Sequence, residues 1–232
     1  MDQRKLTVGL GDRTYDIIIG ENIVERAGKI LGPIAANRQI VIVTDANVAA
    51  LHLDRLKTGL KSASASTVHF AVPSGEASKS MTMLVNLLDN ILALGVDRSL
   101  LLIALGGGVV GDLVGFAAAS LLRGVDYVQI PTTLLAQVDS SVGGKTGVNA
   151  SAGKNLIGAF YQPKAVLADT SFLMTLSPRE LRAGYAEVVK YGLLGDAEFF
   201  NWLETNSDDI FGLKSEAITN VIFWSCQIKS KF

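Results

Sequence analysis

The stretch LLLIALGGGVVGD, residues 100–112, runs six apolar residues straight into Gly106, Gly107 and Gly108, and Asp112 closes a second short apolar segment. A continuous apolar run bounded by glycine suits a strand buried on both faces of a parallel sheet. The glycines let the backbone turn tightly and come close to a ligand with no Cβ in the way. A helix starting at Val109 would aim its free N–H groups at that turn, which makes an anion site, and phosphate is the usual anion. The stretch reads as strand, turn and helix start, the signature of an α/β protein.

Three other readings compete. Gly106-x-Gly108-x-x-Gly111 has the spacing of a dinucleotide fingerprint, yet that motif commonly follows the first strand, and about a hundred residues precede it here. Between positions 100 and 122 only Asp112 is charged, so a membrane helix is an alternative. Against it, a carboxylate near the bilayer centre costs about 2.5 to 3.5 kcal/mol, and the glycines break the run. The third reading is a glycine turn in a buried core with no ligand.

The 232 residues suffice for one large domain or two, and an apolar content of 49% is ample for a core. Lys plus Arg number 21 against 22 Asp plus Glu, with no basic tract, which argues against nucleic acid or an anionic membrane as the main partner. Any anion site must be local. The single Cys226 excludes an intramolecular disulfide and suits a reducing compartment. The N-terminal stretch alternates like a strand pair and lacks the apolar core of a signal peptide, so a cytoplasmic protein is expected.

Residues 7–10 and 15–19 alternate around Gly11-Asp12, an antiparallel hairpin. Residues 22–31 have helical spacing, with Gly32-Pro33 as the stop. QIVIVT, residues 39–44, is a strand followed directly by Asp45-Ala46-Asn47, which either binds a ligand at the strand end or caps the next helix. After a strand at 67–72, Pro73-Ser74-Gly75-Glu76 turns into a helix over 78–94 whose core stripe is Met81, Leu84, Leu88, Ile91 and Leu92. Strands at 126–130 and 166–169 continue the alternation of a largely parallel sheet.

Residues 138–160, VDSSVGGKTGVNASAGKNLIGAF, differ in kind. The stretch reads as a glycine-rich loop that brings Lys145 and Lys154-Asn155 close to backbone, as a site for a phosphorylated or carboxylated substrate would. Its DSSVGGKT segment ends like a P-loop, but Asp139 takes the place of the first required glycine. Ser177-Pro178-Arg179-Glu180 carries capping-box residues, and in the helix that follows Ala183, Glu187, Lys190 and Leu194 share a face. Glu187 and Lys190 by themselves read as an ordinary exposed pair. Another helix runs from Ser215 to the chain end with no stop signal.

These blocks together resemble the 3-dehydroquinate synthase family. The resemblance is carried in order by Asp45-Ala46-Asn47, Pro73-Ser74-Gly75-Glu76 with Lys79, Gly106-Gly107-Gly108 with Asp112, Pro131-Thr132-Thr133, DSSVGGKTGVN at 139–149, Gly153-Lys154-Asn155 and AGYAEVVK at 183–190. It implies an α/β NAD-binding domain over 1–173 and the beginning of a mainly helical metal and substrate domain over 174–232. It also implies a lyase of the shikimate pathway, leading to aromatic amino acids, that converts 3-deoxy-D-arabino-heptulosonate 7-phosphate to 3-dehydroquinate and phosphate with NAD and zinc, or another divalent metal such as cobalt.

By the same resemblance, Asp45 and Asn47 would hold the adenosine end of NAD with Glu76 and Lys79 nearby; Gly107, Gly108 and Asp112 the pyrophosphate and ribose; and Thr132, Thr133 and Asp139 the nicotinamide side. Lys145, Lys154, Asn155 and Lys190 would bind substrate. Arg123 resembles the arginine that reaches a neighbouring subunit's phosphate site, which implies a homodimer, and Glu187 resembles the metal-ligating glutamate. The family's two metal-ligating histidines have no counterpart in this sequence: His52 and His69 lie in its N-terminal half and read as structural. The expectation is a truncated form that folds as the NAD-binding half with little activity alone. Rival readings are another sugar phosphate cyclase, a metal-dependent polyol dehydrogenase, and a non-catalytic NAD-binding remnant.

Overall fold

The computed structural model describes residues 3–63 and 67–231. The expected hairpin forms as β1 (Gln3–Val8) and β2 (Tyr15–Gly20), antiparallel, with one turn of 3-10 helix at Gly11–Arg13 between them. Residues 22–31 do not make the single helix expected of them. They form a 3-10 turn (Ile23–Arg26) and a one-turn helix α1 (Ala27–Ile30), and Gly32-Pro33 opens another single turn, α2 (Gly32–Ala35), rather than stopping one. The reason is tertiary: the Asn22 and Val24 N–H groups donate to the buried Asp169 carboxylate, which fixes the entry, and proline suits the first turn of α2.

From there strands and helices alternate: β3 (Ile40–Asp45), α3 (Ala46–Leu60), β4 (Thr67–Val72), α4 (Met81–Leu92), β5 (Leu101–Gly106), α5 (Gly108–Ser120) and β6 (Asp126–Pro131). The later elements are β7 (Lys145–Ala150), β8 (Gly153–Phe160), β9 (Ala165–Asp169), α6 (Pro178–Leu193), α7 (Ala197–Phe211) and α8 (Ser215–Lys229). Seven strands form one sheet in the order β1-β2-β9-β6-β5-β3-β4, parallel except at β1.

The apolar run before the three glycines is β5, in the interior of this sheet, and period two explains why it lacks polar residues. Leu101, Ile103 and Leu105 pack with Leu53, Leu56 and Leu60 of α3, while Leu102 and Ala104 pack with Leu84, Leu87 and Ile91 of α4 and Val110, Leu113 and Val114 of α5. Both faces are covered, so both sets must be apolar. The run from 100 to 122 is thus a strand and a 13-residue helix, and no helix among the described residues is long and apolar enough to cross a membrane.

Three further expectations need correction. Helix α4 starts at Met81, where the Ser80 hydroxyl accepts from the Met83 N–H, and its buried stripe is Leu84, Leu87 and Ile91; Met81 and Leu92 are exposed. The glycine-rich loop at 138–160 is largely a β-hairpin, β7 against β8, after a π-turn at Ala136–Ser140. Its strand character was masked by small residues, which the packing needs: a Cβ on Gly115 of α5 would come within 2.3 Å of Thr146 Cγ2 on β7. Gly143 and Gly144 lead into a strand rather than a helix, so this is not a P-loop. Helix α7 has no counterpart in the sequence reading, whereas α6 has the expected capping box. Side chains of α6, α7 and α8, among them Val188, Phe199, Val221 and Ile222, pack on Ile17, Ile19, Val166 and Ala168 of β2 and β9.

His52 is structural. It is buried, its ring centroid lies 4.4 Å from that of Phe172, its Nε2 is 3.0 Å from Thr175 Oγ1, and its Nδ1 has no partner. His69 is exposed on the edge strand β4. Burial, and secondarily the charge of Arg55, hold the His52 imidazole below its usual range. The unfolded chain therefore takes up this proton first as pH falls, so the stability is intact above about pH 6.5 and declines below it until the folded-state imidazole is protonated as well. Urea unfolding at pH 7.5 and 5.5 should show a larger acid loss in the parent chain than in His52→Leu; equal losses contradict this.

Candidate active site

Ligands of open α/β sheets bind at the carboxyl ends of the strands where the strand order reverses. Here β3 connects outward to β4 on one side, and β5 connects to β6 on the other, so the reversal lies between β3 and β5. Asp45 ends β3 and Gly106 ends β5, which places both expected cofactor segments on this crevice.

Gly107 is the N-cap of α5 and no side chain caps it, so the first N–H groups of the helix are free for an anion. The turn is closely walled: a Cβ on Gly107 would lie 3.3 Å from Thr133 Cγ2, and one on Gly108 would lie 2.9 Å from Ser140 Oγ. Thr132 is buried, with its hydroxyl oxygen lacking any partner, while the Thr133 hydroxyl accepts from the Ala136 N–H at 3.1 Å. Across the crevice the Asp45 carboxylate accepts from the N–H groups of Asn47 and Val48 and from the Ser74 hydroxyl at 2.8 Å. The capping role is realised, on the same strand end where a ligand would sit.

Beside the turn lies a cavity of about 600 Å³, within the size range of small-molecule sites. Asp112, Asp139, Lys145, Asn155 and Lys190 all line it, so five of the expected residues converge from α5, the π-turn, the β7–β8 hairpin and α6. The hairpin is what brings Lys145 and Asn155 to it, and the exposed face of α6 supplies Lys190, with Leu194 at its C-cap. Glu187 sits 2.5 Å from Lys190 Nζ as an ion pair on that helix. Among the described residues no group of three or more His, Cys, Asp or Glu side chains is placed to hold a metal ion.

The remaining residues are more distant or differently engaged. Lys154 is exposed and pairs with Glu76 at 3.6 Å, and Asn149 also donates to Glu76, at 2.8 Å. Lys79, expected beside an adenosine, is buried and bonded to Asp112 and Asn155. Arg123 is exposed past the C-terminal end of α5, opposite the glycine turn. Its position is away from the cavity of its own chain.

Two cavity residues escaped the sequence reading. Lys229, in the last turn of α8, donates to the Asp139 carbonyl at 2.6 Å and to its carboxylate, and the Tyr191 hydroxyl donates to the same carboxylate at 2.9 Å. A lysine near the end of a helix is ordinarily read as complementing the helix dipole, and nothing local marks Lys229 as otherwise. Burial pushes the Asp139 carboxyl up, but the hydrogen bond and charge of Lys229 outweigh it and hold the group below the usual range. Asp112 behaves oppositely: burial raises it despite Lys79.

Comparison with known proteins bears on the family and the fold. A family profile described as 3-dehydroquinate synthase N-terminal matches residues 69–183, and one described as 3-dehydroquinate synthase C-terminal matches residues 184–232. A curated 3-dehydroquinate synthase from Rhodospirillum rubrum is 54% identical over 226 residues, covering 97% of this chain and 59% of the relative. Among solved structures, 2-epi-5-epi-valiolone synthase from Streptomyces hygroscopicus, with NAD+ and Zn2+ bound, superposes with a TM-score of 0.86 at 31% identity, covering 96% of this chain and 62% of that one. A 2-deoxy-scyllo-inosose synthase complexed with carbaglucose-6-phosphate, NAD+ and Co2+ follows at 0.76 and 28%, covering 95% and 64%. The chain spans about three fifths of the length of the curated relatives it matches. With both profiles matched in succession and half of the residues shared with curated relatives, the chain belongs to the 3-dehydroquinate synthase family.

Proposed function

We propose that this chain supplies the NAD-binding crevice and part of the substrate pocket of a 3-dehydroquinate synthase, acting on 3-deoxy-D-arabino-heptulosonate 7-phosphate. The observation that carries the reading is the uncapped N-terminus of α5 at the switch point, abutting a cavity lined by Asp112, Asp139, Lys145 and Lys190. The higher identity to curated 3-dehydroquinate synthases than to the valiolone or inosose synthases favours this substrate over those of other cyclases.

The residues fit NAD. Thr133 and Ser140 crowd the places where a Cβ on Gly107 or Gly108 would sit, so only glycine fits this turn, whose uncapped N–H groups suit a diphosphate, and the buried Thr132 hydroxyl lacks a polar partner. Held by the Gly107–Gly108 turn and the Asp45 strand end, NAD would supply reversible hydride transfer. Lys145 and Lys190 would neutralise phosphate and carboxylate groups, Asn155 would orient hydroxyls, and the ionised Asp139 would accept from a substrate or cofactor donor. For the metal the described residues do not suffice: Glu187 is one ligand without a group around it, so no step is derived through a metal here. Arg123, exposed and outside the lining of its own cavity, fits a homodimer in which it reaches the partner's phosphate site, and the enzyme is read as a cytoplasmic one.

Calorimetric titration of the 232-residue chain with NAD should show saturable binding, weakened about tenfold or more in Gly108→Val; no binding by the parent chain overturns the proposal. A second outcome concerns Lys229, which holds Asp139 ionised. A carboxyl depressed in the folded state adds stability above its unfolded value that is lost as pH falls. Lys229→Met should therefore cost about 1–3 kcal/mol at pH 7, and the difference from the parent should shrink toward pH 3.5. A pH-independent difference contradicts it.

A further inference from the structure

We propose that Lys79 is the latch that fixes the β7–β8 hairpin against α5 and so sets the mouth of the cavity. The hairpin needs such a device. Two-stranded hairpins are marginal in water unless an apolar face is buried, and along β8 the side chains are mostly exposed, including Leu156 at 62% and Phe160 at 73%. Apolar burial holds the β7 side, through Val148 and the Thr146 contact with α5, but it does not hold the tip.

The tip is held by polar bonds that converge on one short segment. The Asn149 N–H donates to the Lys79 carbonyl at 2.9 Å, and Asn149 bridges Ser80. The Asn149 amide donates to Glu76 at 2.8 Å, and its oxygen accepts from the Asn155 N–H at 3.0 Å. At the centre is Lys79, 6% exposed as a residue, whose ammonium donates to Asp112 on α5 and to the Asn155 side chain on β8. A buried ammonium must be paired, and Asp112 supplies the counter-charge. The bond to Asn155 then spans helix and hairpin. Lys79 does not line the cavity, but both of its acceptors do, so it acts on the site through them.

The test is amide hydrogen exchange in residues 145–160, with residues 101–106 of β5 as the internal control. Lys79→Met should raise exchange in the hairpin about tenfold, as loss of a hydrogen bond to a charged group implies, and leave β5 unchanged. Asn155→Gly should do the same while keeping the Lys79–Asp112 pair, since Asn155 has φ of 58°, which glycine adopts freely. The double variant Lys79→Met/Asp112→Asn removes the unpaired carboxylate, so thermal stability should recover while hairpin exchange stays high. Unchanged exchange in either single variant, or recovered protection in the double variant, overturns the latch; if Lys79→Met does not fold, the other two decide. The measurement needs no cofactor, so a parent chain that failed to bind NAD would overturn the proposed function and leave the latch standing.

Discussion

Everything in this molecule is arranged around a helix N-terminus left without a cap. Helices α3, α4, α6 and α7 satisfy part of their first turn with a side chain, Asp45, Ser80, Ser177 and Asp196 in turn, whereas α8, away from the sheet's switch point, does without one. Helix α5 starts at glycine with no such bond, at the point where the sheet order reverses. Exposed donors of that kind are tolerable beside solvent or an anion, and the strand before them is buried on both faces, which fixes their direction. The fold thus presents a rigid, positively polarised end of a helix to a cavity.

The cavity wall opposite is made of parts with less apolar support. The π-turn at Ala136–Ser140 is gripped from three sides: the Gln137 amide donates to the carbonyls of Pro131 and Asp169, Cys226 to the carbonyl of Gln137, and Lys229 and Tyr191 to Asp139. Burial pushes the Cys226 thiol up to about 12, so it stays a neutral packing group in that grip. The hairpin depends on Lys79 and its neighbours. Polar bonds therefore set the relative position of the carboxylates and lysines, while apolar packing sets the sheet beneath them.

That division explains what the sequence could disclose. Strand β5 and the turn after it were legible because continuous apolar residues followed by three glycines admit few structures. The Ser177 capping box was legible because it is a local pattern. The hairpin was hidden because close packing against α5 requires glycine and small residues, which erase the alternation that marks a strand. The broken helix after Asn22 depends on Asp169, 147 positions away, and the role of Lys229 depends on Asp139, 90 positions away. Contacts at such separations leave no trace in a local reading. The site residues were nameable by resemblance, yet the convergence of five of them on one cavity, with Lys79 behind its wall rather than on it, is a finding of the structure.

The most direct test is amide chemical-shift perturbation on adding NAD to the isotopically labelled chain. A pyrophosphate seated on α5 predicts that the largest shifts fall on the amides of Gly107, Gly108 and Val109, with smaller ones at Asp112 and Thr132 and little change at Arg123. Saturable binding whose shifts leave residues 107–109 untouched would contradict the account, because the cofactor would then be held by some surface other than the open end of that helix.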